Sequence, residues 1–297
     1  MEIVAIVVLY NCNIEKSQTI ISLLNNYKNN NNYFNDFSLI IYDNGEFNQK
    51  SKIIIPFQYE YVHDSTNRGL AVAYNYSLKN FKTENNSWLF LLDQDSTLPI
   101  DFIYKLKLDL KIVQYNSEVV AVVPKMHHGN YFFSPSKILY GGTMRPIDMT
   151  HSGIYNNNIF AIGSGSVIRY TFLKSINGFN EFFWIDCLDR WLYHIINKMG
   201  KSVFVSNIIL EHELSIMNYG LLLNKKRYIN IMKYETYFMF FYKSKTENFI
   251  YYLRLIKRTI YLFFKEKNKI FAYLTLNHLV NNLINRKKLL NEQNTSK

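Results

Sequence analysis

The 297-residue sequence is poor in cysteine, with only Cys12 and Cys187. Two thiols are too few for a disulfide framework, and neither sits in a metal-like Cys cluster, so a reducing, cytoplasmic compartment is expected. No run reaches the roughly eighteen uncharged apolar residues of a spanning helix. The stretch Met1 to Tyr10 lacks a basic leader and a small-residue cleavage site, and it reads as a first strand. No nucleic-acid recognition motif is present. Acidic residues are scarce in one place only. From Leu222 to Lys297 there are 16 Lys/Arg against 4 Asp/Glu, while the rest of the chain has 18 against 19. The formal charge of +11 therefore belongs to the C-terminal quarter.

What the sequence does have is a series of short apolar runs, each closed by polar residues. Ile3 to Tyr10 ends in Asn11, Phe37 to Tyr42 ends in Asp43-Asn44-Gly45, and Tyr59 to His63 leads to Asn67-Arg68-Gly69. Trp88 to Leu92 ends in Asp93-Gln94-Asp95. Run length and apolarity predict buried strands, and helical spacing over Ser17–Tyr27, Leu70–Lys79 and Asp101 to about Tyr115 predicts the crossovers of a mostly parallel α/β sheet. Asn67 could cap the second of these helices. Val119 to Pro124 and Lys201 to Val205 read as further strands, and Phe160 to Ile168 as a small-residue strand suited to close approach by a ligand. Lys125 to Tyr155 reads as loop or short antiparallel structure.

In such sheets ligands bind beyond the carboxyl ends of the strands, so the four polar ends would converge on one site. Alternation puts Asp93 and Asp95 on one side of an extended chain, as hard oxygen ligands suited to Mg²⁺ or Mn²⁺ bound together with substrate phosphates. Further along, Asp186 and Asp189 lie three apart among aromatics, share a helical face, and are candidates for a general base.

Taken in order, Val7-Val8-Leu9-Tyr10-Asn11, Tyr42 to Gly45, Asn67 to Ala71 with Asn75, Leu91 to Asp95, Gly163-Ser164-Gly165, Gly178 to Glu181 with Ile185 to Asp189, and His212 resemble the family 2 nucleotide-sugar glycosyltransferases of the GT-A fold, rhamnosyltransferase-like branch. The resemblance implies a GT-A catalytic domain over residues 1–220, Rossmann-like with a mostly parallel sheet, followed by a helical, basic region over 221–297. It implies that Asp43 contacts the donor's base, that Tyr10 and Asn11 line the nucleoside, and that Asn67, Gly69 and Asp93 lie along the nucleotide. It implies metal contacts from Asp93, Asp95 and His212, and Asp189 as the base of an inverting transfer. Where the family carries a further acid after that aspartate, this chain has Arg190-Trp191, which keeps Asp186 as the alternative. The expected reaction moves a sugar, first rhamnose from dTDP-rhamnose, to a lipid-linked, growing cell-surface polysaccharide. The alternatives are another donor such as a UDP-hexose, or a non-catalytic nucleotide- or membrane-binding module of the same fold.

In the basic region, Arg254, Lys257, Arg258 and Lys265 set one basic stripe against an aromatic and aliphatic face. That pattern predicts a peripheral contact through residues 249–290 with an anionic membrane surface, on the inner face of the cell membrane.

Overall fold

The computed structural model describes residues 1–50, 53–81, 86–211, 224–266 and 268–284. Contacts divide the chain into two units, one of Met1–Lys137 with Arg145–Glu213, the other of Ile138–Met144 with Leu214–Lys297. The expected boundary at residue 220 falls outside the described residues.

The first unit contains β1 (Ile3–Leu9), α1 (Gln18–Asn29), β2 (Phe37–Asp43), β3 (Tyr59–His63), α2 (Leu70–Asn80), β4 (Trp88–Asp93) and α3 (Phe102–Val113). It continues through β5 (Val119–His128), β6 (Tyr131–Ser134) and β7 (Ser136–Ile138), with β8 (Met144–Pro146) following the short excursion into the second unit. Then come β9 (Gly153–Asn156), β10 (Ile159–Phe160), β11 (Val167–Arg169), α4 (Tyr170–Ser175), α5 (Leu188–Lys198) and β12 (Ser202–Glu211). The main sheet has the order β3-β2-β1-β4-β11-β5-β12-β9, with β6 added beside β5. Strands β3, β2, β1 and β4 run parallel, β11 is antiparallel to both its neighbours, and β12 is parallel to β5. The apolar runs predict a mostly parallel sheet, and the antiparallel β11, β9 and β6 make it a mixed one.

Every residue of β1 and β2 is buried, and β4 is buried up to its last residue. Strands covered on both faces need continuous apolar runs, and these supply them. Register then sets the edge: Leu9 pairs with Asp43, Val8 with Asp93, and Asp43 with His63. The polar ends of four strands therefore lie at one side of the sheet.

Three expectations are corrected. Phe160 to Ile168 is not one strand: β10 stops at Phe160, Gly165 takes φ +80, and β11 begins at Val167. Asn67 does not cap α2; Gly69 holds that position at φ +92, without a side-chain cap. Asp95 is not on the strand, because β4 ends at Asp93 and the chain turns.

The second unit holds α6 (Lys225–Tyr242), α7 (Lys245–Lys265) and α8 (Ile270–Ile284). Ser244 and Glu247 form a reciprocal capping box that starts α7. Tyr228, Met232, Leu262, Phe271 and Ala272 form its apolar core. A polar network lies beside it: Thr236 Oγ1 is 2.9 Å from Tyr251 Oη and 2.7 Å from His278 Nε2, and Arg258 reaches Glu235 at 3.2 Å. The expected basic stripe is corrected here, since Arg258 is spent on Glu235 and the Arg254 guanidinium lies over the Tyr251 ring. Among the described residues no helix is long and apolar enough to cross a membrane.

Candidate active site

At the end of β1, Asn11 takes a left-handed φ of +49, turning the chain so that Tyr10 N donates to Gln94 Oε1 at 2.8 Å. Gln94 is thus a brace between the first and fourth strand ends, and its own carbonyl accepts from Ser17 Oγ at 2.7 Å. At the end of β2, Asp43 is fully buried. Its Oδ1 accepts from Gly45 N at 2.8 Å, and its Oδ2 accepts from Gln49 N at 2.9 Å and from Tyr61 Oη at 2.5 Å. A carboxylate offers about four acceptor positions, so the local loop takes most of them and leaves room for about one further donor.

Asn44 follows, buried, its Nδ2 donating to Gly69 O at 3.4 Å while its Oδ1 has no hydrogen-bond partner. An orphaned buried acceptor is costly, and this one lies between the β2 end and the turn before α2. That turn is tied down twice. Trp184 Nε1 donates to Asn67 O at 2.9 Å, and Leu70 N donates to Trp184 O at 2.8 Å. A Cβ on Gly69 would come within 2.3 Å of Trp184, so the residue must be glycine both for its φ and for this approach. Asn75 makes the second clasp: its Oδ1 accepts from Phe179 N at 2.7 Å, and its Nδ2 donates to Phe179 O and Glu181 Oε1, each at 2.9 Å. The motif residues 67–75 and 177–184, distant in sequence, therefore form one packed piece.

Asp93 is half-buried and Asp95 exposed. The Asp93 backbone is fixed at both ends, N donating to Ser164 Oγ at 3.1 Å and O accepting from Thr19 Oγ1 at 2.5 Å. Ser164 Oγ is also 2.8 Å from Ser96 Oγ, so Gly163-Ser164-Gly165 is threaded against the turn that carries Asp95. Burial raises the Cys12 thiol above its ordinary range, and the charges of Asp95 and then Asp43 add to the rise against Lys16.

The remaining carboxylates lie on the segment before α5. Cys187 is left-handed at φ +67 and caps the helix, which begins at Leu188. Asp189 is therefore in the first turn of α5, while Asp186 precedes the helix, so the two do not share a helical face as the spacing suggested. Asp189 is close to the Gly163 turn, where a Cβ on Gly163 would stand 3.9 Å from Asp189 Cβ. Its side chain keeps partial exposure, yet burial raises its pKa above the ordinary carboxylate value, with Arg190 opposing. Its Oδ1 accepts from Arg190 N at 2.7 Å. Burial also holds the Tyr74 phenol well above its usual pKa, and the charges of Asp93 and then Asp189 push it further.

Eight of the residues named from the sequence thus belong to this edge: Tyr10, Asn11, Asp43, Asn67, Gly69, Asp93 and Asp95 at the strand ends, and Asp189 against the Gly163 turn. Asp186 precedes α5 on the adjoining segment, and His212 lies outside the described residues. Asn44 and Gln94 stand in the polar strand ends with no role assigned from the sequence, and Tyr74 and Trp184 were not singled out, since a residue's type gives no signal of the distant partner it will meet. Among the described residues no group of three His, Cys, Asp or Glu gathers to hold a metal unaided. Two hard carboxylates suit a Mg²⁺ or Mn²⁺ that is shared with a diphosphate.

The family described as glycosyl transferase family 2 matches residues 4–176. No curated protein sequence matches the chain. Among solved structures, S. aureus TarS 1-349 aligns with a TM-score of 0.55 and 14% identity over 90% of this chain and 74% of that one. The same TarS piece in complex with UDP-GlcNAc gives 0.51 and 13%, over 90% and 74%. GalNAc-T7 with UDP, GalNAc and Mn²⁺ gives 0.55 and 12%, over 93% of this chain and 58% of that one. These likenesses establish the architecture as GT-A-like: a mixed, mostly parallel sheet followed by C-terminal helices.

Proposed function

The chain belongs to glycosyl transferase family 2, and from that membership we propose a metal-dependent, inverting transfer of a sugar from a nucleoside diphosphate donor to a lipid-linked saccharide. The observation that carries the reading is the gathering of Asp43, Asp93 and Asp95 at one sheet edge, with Asp189 set against the Gly163 turn beside it.

From the resemblance, Asp43 would accept the imide N–H of a pyrimidine base; since it is fully buried under its own loop bonds, the 45–49 loop would have to part for that contact. Asp93 and Asp95 would hold Mg²⁺ or Mn²⁺, which when bound supplies Lewis-acid neutralisation of the leaving diphosphate; the Mn²⁺ of GalNAc-T7 supports that choice. His212 would add a contact there. Asp189 takes the proton from the acceptor hydroxyl as its oxygen attacks the anomeric carbon. The bond from that carbon to the diphosphate breaks, the electron pair leaves with the nucleoside diphosphate, and the configuration inverts. Burial serves this role, because a carboxylate of raised pKa is a better base. Asp186 is the alternative base.

For the donor, the sequence resemblance favours dTDP-rhamnose, and the UDP-GlcNAc bound by TarS supports the UDP-linked alternative. A panel of nucleotide sugars, assayed for nucleoside diphosphate release with and without Mn²⁺ in the presence of a lipid-linked acceptor, tests both the reaction and the donor. Nucleotide binding with no metal-dependent turnover of any donor would leave the non-catalytic reading in its place.

A further inference from the structure

On α7, Phe249, Leu253, Ile256, Ile260 and Phe264 recur at intervals of four, three, four and four, and all are exposed. Such intervals keep side chains on one stripe of a helix. The opposite stripe, Tyr251, Leu255 and Leu262, is buried. A helix on the outside of a water-soluble unit turns its charges outward; α7 turns Arg258 to Glu235 and presents phenylalanines and isoleucines instead. Helix α8 repeats the device, with Tyr273, Leu276, Val280 and Leu283 exposed at intervals of three, four and three.

The occupant follows from charge. Lys257 and Lys265 stand exposed along α7, within a region whose cations outnumber its acids by 16 to 4. A second copy of the chain would bring the same excess and be repelled, whereas an anionic bilayer supplies the opposite sign. Aromatic and aliphatic side chains flanked by lysines suit the headgroup boundary, and no described helix is long and apolar enough to go through it. We infer that the outer stripes of α7 and α8 form one lipid-facing surface that lies in the interface of an anionic bilayer. The inference is independent of the catalytic assignment.

Flotation of the full chain tests it, with vesicles of phosphatidylcholine alone and vesicles also containing phosphatidylglycerol. The chain is expected to float with the anionic vesicles, and the Ile260→Glu/Phe264→Glu double substitution to lower that partition about ten-fold or more. Both side chains are exposed, so circular dichroism and nucleotide binding should match the parent. Lys257→Glu leaves the apolar stripe intact and should weaken only the salt-sensitive part of the binding. Equal flotation of the double variant, equal flotation on both vesicle types, or no flotation of the parent overturns the inference. So does a dimer seen by sedimentation that the double variant dissolves in the absence of vesicle binding, an outcome that would assign the surface to a second copy.

Discussion

Along β4 every side chain from Trp88 to Leu92 is buried and the first to meet solvent is Asp93, whereas along α7 Phe264 is 77% exposed and Phe249 62% exposed. In the sheet unit, apolar residues make the interior and carboxylates gather at an edge. In the helical unit an ion pair and a hydroxyl network occupy part of the interior, and apolar stripes face outward. The contrast teaches where each kind of substitution should be felt. Polar groups at the sheet edge should be costly in activity and cheap in stability, and polar groups inside the helical unit the reverse.

The sharpest break would come at Asp189. Asp189→Asn is expected to lower sugar transfer by about 10²–10⁴-fold while nucleotide binding survives, because it removes the proposed general base. Its folded pKa lies above the ordinary value, so ionising it works against folding: the stability it gives is full below its unfolded pKa and is lost as pH rises through its raised value. The neutral asparagine should therefore melt no lower than the parent at neutral pH, and parent activity should climb as pH rises through the raised pKa. Loss of activity at Asp186→Asn but not at Asp189→Asn would move the base to Asp186.

Next in size is Gly69→Ala, which strikes the sheet unit's structure beneath its chemistry. The new Cβ meets Trp184 O, a backbone atom that cannot swing away, at a φ of +92. The combined strain is expected to cost about 3 kcal/mol of unfolding free energy, read from urea denaturation.

These two positions also show what the sequence could and could not disclose. β1, β2 and β4 were legible because burial on both faces demands unbroken apolar runs, and the polar sheet edge proposed as the site was legible because each run ends in a polar residue. Asp189 was legible as a carboxylate among aromatics, but its separation from Asp186 was not, since nothing local in Ile185-Asp186-Cys187-Leu188 announces that Cys187 goes left-handed. The Trp184 clasp on Gly69 joins residues more than a hundred positions apart, a tertiary fact with no periodic trace. For α7 the period correctly gave two faces. It could not say which face would meet the protein, because amphipathicity fixes the angle between stripes and leaves open which one is turned to solvent.

The helical unit is probed by Glu235→Gln. Burial works against the Arg258 charge, and Glu235 more than offsets this, holding the guanidinium pKa above its usual value. Removing the carboxylate charge leaves a largely buried guanidinium without its counterion. A fully buried pair would lose more, but Arg258 keeps some exposure, so about 2 kcal/mol is expected, read by denaturation. Nucleotide binding and turnover per folded molecule should be unchanged, the reverse of Asp189→Asn. A variant that kept its stability and lost its turnover would break the contrast between the units.

The smallest effect tests whether a carboxylate at the sheet edge can nevertheless be structural. Burial alone would raise the Asp64 pKa, but hydrogen bonds from Thr66, Arg68 and Tyr42 outweigh it and hold the group at about 2. The partners are close: Thr66 Oγ1 at 2.5 Å, Arg68 Nε at 2.8 Å and Tyr42 Oη at 2.9 Å. A depressed carboxyl gives stability that is present above its unfolded pKa and is lost as pH falls through the folded value, here between about 4 and about 2. Because Arg68 is largely exposed, solvent screening reduces the benefit, and Asp64→Asn is expected to cost on the order of 1 kcal/mol at neutral pH. Denaturation across the acid range should show parent and variant converging as pH approaches 2. A gap that stays constant with pH would mean that the loss comes from packing and not from the charge, and Asp64 would then group with Gly69 as a fixture of the turn before α2.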